Sequence, residues 1–127
     1  MALTKENGIN FLQNCEGYHQ ALKMNHWSTE KKSEHLLTDD IDSDVLDFED
    51  RIAESIMGIL DIRYGNGDLK TLLPSSSDLK SLLNEMEEDV DKFIEEVGED
   101  KKNIGLVNIL EEFCEKITTW KYLETFN

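Results

Sequence analysis

Apolar residues recur along this chain at steps of three and four, the spacing of helices that each bury one stripe. In a first segment from about Thr4 to Trp27, Ile9, Leu12, Cys15, Tyr18 or His19, Leu22 and His26 share a side, and Thr4 suits an N-cap. The polar run 28–33 breaks the pattern and ends on Ser33, which suits the cap of the next helix. A second segment, about Glu34 to Leu60, carries Leu37, Ile41, Val45, Phe48, Ile52, Ile56 and Ile59, beside a polar row of Asp47, Asp50 and Glu54. A third follows Ser75, which has capping-box spacing to Asp78. It runs through Leu79, Leu82, Leu83, Met86, Val90, Phe93, Ile94 and Val97, and Gly98 closes it as a helix-ending glycine does. The fourth, about Asn103 to Phe126, aligns Val107, Leu110, Phe113, Ile117, Trp120 and Leu123 or Glu124.

Long helices with short polar joints predict an all-α, antiparallel four-helix bundle, one domain over residues 1–127. Only the joint between the second and third helices is longer. Tyr64-Gly-Asn-Gly-Asp68 forces a turn there, and residues 68–73 have room for a short helical crossing before Pro74. Gly65-Asn-Gly67 lacks the strand and helix context of a phosphate loop.

Charge sharpens the picture. The chain has 28 acidic and 13 basic residues, a net charge of −15. Ten of the acids fall in segment 34–61 against Arg51 alone, and nine in 85–100 against Lys92 alone. Such a surface repels phosphates, so direct nucleic-acid binding is not expected, whereas cations and basic protein partners are suited to it. No stretch approaches the roughly 20 apolar residues of a membrane span. The start MALTKENGIN does not read as a signal peptide, and Cys15 and Cys114 read as small buried hydrophobes of a reducing compartment. A cytoplasmic location is the expectation. The methionines Met24, Met57 and Met86 read as core filler, and Trp27 and Trp120 as core or interface anchors.

Three histidines, His19, His26 and His35, are all the chain has. His26 ends the first helix and His35 opens the second, so the joint brings them together. Asp50 and Glu54 lie one turn apart on one face of the second helix. Two imidazoles and two carboxylates suit a divalent transition metal such as iron. His35 and Asp50 are 15 residues apart, roughly 22 Å at the helical rise, so no side chain of one chain spans the gap. Two copies pairing this helix antiparallel about a two-fold axis would set the histidines of one against the acids of the other. Glu16-x-x-His19 has the spacing of di-iron bundles with sites inside one subunit, but no second such motif exists, and packing at the core edge is the default for His19.

The pattern resembles the Dps-type mini-ferritins, a branch of the ferritin-like superfamily. The residues that carry the resemblance are His26-Trp27 at the end of the first helix, His35 opening the second, and Asp50-Arg-Ile-Ala-Glu54 after the family's interval. The stretch 18–27 (YHQALKMNHW) and the tryptophan-bearing last helix extend it. The resemblance implies a ferritin-like fold and a homo-oligomer, a two-fold dimer at least and a dodecameric shell in the family. It also implies an inter-subunit ferroxidase site that oxidises ferrous iron, commonly with hydrogen peroxide. His26, His35, Asp50 and Glu54 would be the iron ligands, with Trp27 beside them.

Two other functions remain open. An acidic ferritin-like scaffold without metal chemistry could occupy a basic nucleic-acid-binding surface, as inhibitors that mimic DNA do, or serve as a structural oligomer-forming module.

Overall fold

The computed structural model describes residues 2–70 and 78–127, all helix, turn or irregular chain with no strand among them. Four helices form: α1 (Lys5–Ser28), α2 (Lys32–Leu60), α3 (Leu79–Val97) and α4 (Ile104–Glu124), with a 3-10 turn at Lys101–Asn103 before the last. α1 and α4 each pack against both α2 and α3. Each helix thus has two principal neighbours, and their inward stripes meet in one core.

The stripes predicted for α2 and α3 are the buried ones. Ile41, Val45, Phe48, Ile52 and Ile56 line one, and Leu79, Leu82, Leu83, Met86, Val90, Phe93 and Val97 the other. α4 buries Leu106, Leu110, Phe113, Ile117 and Trp120, with Val107 half-buried. Stacked rings join neighbouring helices: Phe11 on Phe93 at 4.6 Å between α1 and α3, and Phe48 on Phe113 at 4.7 Å between α2 and α4. The pairings between α1 and α2 run from His26–His35 through His19–Asp42 to Gly8–Ile56, descending one helix while climbing the other.

Helix ends depart from expectation where a local bond wins. Thr4 caps α1 as predicted, in a reciprocal capping box with Asn7. Ser33 does not cap α2, which starts two residues before Glu34 with Lys31 at its N-cap and no side-chain bond there. Thr29 takes over that turn, accepting from the Lys31 N–H and donating to Glu34 Oε2. Asp78 caps α3 by accepting from Ser81 N, whereas Ser75 and Pro74 lie outside the described residues. Gly98 stays in the right-handed region (φ −75°, ψ −15°) instead of reversing the chain. Buried Asn103 makes this workable, because its Nδ2 donates to the Val97 carbonyl that the helix end leaves open. Asp68–Lys70 are turn and irregular chain; the rest of the predicted crossing, 71–73, lies outside the described residues.

Met24, read as core filler, is 45% exposed, and Trp27, read as a core or interface anchor, is 67% exposed with Lys23 Nζ 5.3 Å from its ring. Both lie off the stripe of Leu12, Cys15, Tyr18 and Leu22, on the outward side of α1, while Asn25 between them is still buried. Cys15 is buried, but Cys114 is half-buried with its Sγ 3.5 Å from Asp91, and burial pushes that thiol up to about 12.

Phe113 contacts Phe48 face to face and Trp120 edge-on at 6.3 Å, and is wholly buried. Phe113→Ala should cost about 3–5 kcal/mol of unfolding free energy. Urea denaturation followed by far-UV circular dichroism measures it, and a loss near zero would show that this aromatic row does not hold α4 to α2.

Candidate metal centre

The joint between α1 and α2 spans only residues 29–31, and two histidines close it. His26 Nδ1–H donates to the His35 carbonyl at 2.7 Å, and His35 Nδ1–H donates to the His26 carbonyl at 2.8 Å. Their rings stack at 3.7 Å, inclined by 19°. Fully buried Thr38 supports the pair, its hydroxyl donating to the Glu34 and His35 carbonyls. A carbonyl can only accept, so each Nδ1 carries the proton and each Nε2 keeps its lone pair. No described group bonds to either Nε2. Metal-binding histidines are oriented by this kind of bond from their other nitrogen. The ring planes, 3.7 Å apart and nearly parallel, do not converge within a metal–nitrogen bond of about 2.1 Å. One ion therefore cannot sit on both lone pairs. Each ring offers a separate ligand position.

Asp50 and Glu54 are exposed neighbours on α2, and the hydrogen bond and charge of Asp50 raise Glu54 from its ordinary value. The structure thus brings His26 to His35 and Asp50 to Glu54, but not one pair to the other. Among the described residues of one chain, no group of three or more His, Cys, Asp or Glu side chains is placed to hold a metal ion. Trp27 stands beside His26 in sequence, its ring mostly in solvent.

Between the two pairs lies a polar row of which the sequence reading singled out Glu16 and His19 but not their partners. His19 Nδ1 bonds both oxygens of Asp42, at 2.7 and 2.9 Å, which gives this histidine a carboxylate partner at the core edge. Farther along, Glu16 and Glu49 share a hydrogen bond. Burial first, then the bond and charge of Glu16, push Glu49 up to about 8. Its Oε2 is buried without a donor among the described residues. Asp50 lines the same hollow, with Ile9, Leu12, Leu46, Ala53, Tyr64 and Leu69 as the rest of its wall. The signal was available: His19 lies two turns before His26 and Asp42 two turns after His35, so the joint dictates their meeting. On the far side of α1, the Tyr18 hydroxyl donates to Asp89 of α3, and burial raises both groups.

The shared proton has a measurable consequence. Unfolded, Glu49 loses its proton near 4.5; folded, it holds it to about 8. Between these values the folded chain binds more protons than the unfolded, so raising the pH favours unfolding. The contribution is complete below about 4.5 and disappears as the pH climbs through 8. Glu49→Gln, neutral throughout, should lose this slope and exceed the wild type in urea midpoint most at pH 8. Parallel pH curves for the two proteins would contradict the shared proton.

No protein-family model, curated protein or solved structure matches the chain, so its function is argued from this geometry.

Proposed function

We propose that the chain is a ferritin-like, antiparallel four-helix protein of mini-ferritin type that binds and oxidises ferrous iron between two copies of itself. The observation that carries this reading is the stacked His26–His35 pair, with both Nδ1 hydrogens committed to backbone carbonyls and neither Nε2 bonded by a described residue. Asp50 and Glu54, exposed on α2, supply the anionic half of the site from the neighbouring copy. Iron is the substrate here. Two ferrous ions give one electron each to hydrogen peroxide, which takes up two protons and leaves as water. The carboxylates favour the ferric product because hard oxygen anions suit the higher charge. Storage of the oxide in a closed shell follows from the resemblance, and two free cysteines suit a reducing cytoplasm.

The exposed acids Asp39, Asp40 and Asp47, which form no ion pair among the described residues, favour a second reading in which α2 occupies a basic surface of another protein. Such binding would be lost at high salt.

Purified protein given ferrous iron and peroxide should oxidise it, and Asp50→Ala/Glu54→Ala should slow the initial rate at least roughly tenfold. Absorbance of the ferric product follows the reaction. Equal rates in both proteins would end the iron reading and leave the acidic binding surface.

A further inference from the structure

The outer face of α2 carries a charge pattern that bears on how two copies meet. Between Lys32 and Arg51 there is no lysine or arginine. Arg51 itself is committed to Glu112 at 2.8 Å and lies over the Phe48 ring, on the side of α2 that faces α4. Setting His35 of one copy against Asp50 of another also sets Lys31 against Glu54, and it centres the two-fold axis between Asp42 and Ser43. The ends of the paired helices are then complementary in charge. The middle is not, since the exposed Asp39, Asp40 and Asp47 of both copies gather about the axis. Apolar help is sparse, because Leu36 and Leu46 are the exposed large aliphatic side chains along this stretch.

We propose that the copies do not assemble on this face by themselves, and that divalent cations bridging the histidines of one to Asp50 and Glu54 of the other drive the pairing. This inference rests on the iron-site reading. Metal occupancy and self-association become one equilibrium: the metal-free chain separates because like charges crowd the axis, and the ion joins two half-sites neither copy can complete. Linkage makes the effect reciprocal, so association must tighten metal binding by the factor that metal tightens association.

The test uses manganous ion, a divalent probe that stays reduced in air, with sedimentation velocity at low salt. In EDTA the chain should sediment as one copy. Saturating manganous ion should shift it to two copies or more, tightening association at least tenfold. His26→Ala/His35→Ala and Asp50→Asn/Glu54→Gln should each remain single with the metal. Mixed together they should pair, because the heterodimer regains one complete site. If the histidine variant loses helicity, Asp50→Asn/Glu54→Gln alone must still abolish the shift. Equal association in EDTA and in manganous ion overturns the coupling while leaving an inter-subunit iron site standing. High NaCl in EDTA reproducing the shift overturns bridging in favour of simple screening. Absence of both manganous binding and iron oxidation rejects the iron-site reading itself.

Discussion

Reciprocal bonding between two imidazoles and two carbonyls at the α1–α2 joint is the constraint on which the rest of this molecule depends. Each ring ties its own helix end to the opposite one, so the joint can be only three residues long and the register of two helices totalling more than fifty residues is set at one point. From there the pairing follows in helical steps. Two turns away on each side come His19 and Asp42, then Glu16 and Glu49, and near the far end Gly8 against Ile56. A Cβ on Gly8 would lie 2.6 Å from the Tyr64 hydroxyl and displace it from the Lys5 carbonyl, to which it donates across the start of α1. A slip at the joint would misplace all of these together.

A chain with a charge of −15 must put carboxylates close to one another, and this fold handles them in three ways. Some are spent at helix ends, as with Asp78, whose bonds from Ser81 hold it below the usual range. Some find a partner in the next helix, as Glu87 does with Lys121 at 3.0 Å and Glu112 with Arg51. Such exposed pairs contribute little, roughly 0–1 kcal/mol each. The third group is shifted upward. Burial beside Glu16 pushes Glu49 up to about 8, and burial raises Asp89 although the Tyr18 hydroxyl donates to it.

Much of the fold was legible because burial imposes a period. The stripes of α2 and α3 read directly, since a helix covered along its whole length repeats its apolar residues without interruption. Reading failed where residue type stood in for position: Met24 and Trp27 are large and apolar but lie off the stripe of Leu12, Cys15, Tyr18 and Leu22, on the exposed side of α1. Caps failed where another local bond was to hand: Ser33 has the right chemistry for an N-cap, yet α2 begins at Lys32 and Thr29 takes the turn, accepting from the Lys31 N–H and donating to Glu34. The meeting of His26 with His35 could be read from a short joint between two helices. The stacking and the protonation of both Nδ1 atoms could not, because they depend on which carbonyls the turn presents.

The half-sites also explain why chemistry and assembly cannot be considered separately here. A metal site built inside a single bundle would draw its ligands from facing helices around the core, but the inward positions of this bundle are filled by aliphatic and aromatic side chains with Thr38, Asn25 and Asn103 as the buried polar exceptions. Ligands must then project outward, where each pair by itself competes poorly with water for an ion. Two imidazoles whose lone pairs do not converge need anions brought to them, and two adjacent carboxylates need a cation between them. Each half supplies what the other lacks, at opposite ends of one helix. In the proposed pairing a two-fold axis through the middle of α2 would exchange those ends, and the acids gathered about it would oppose the union until positive charge arrives.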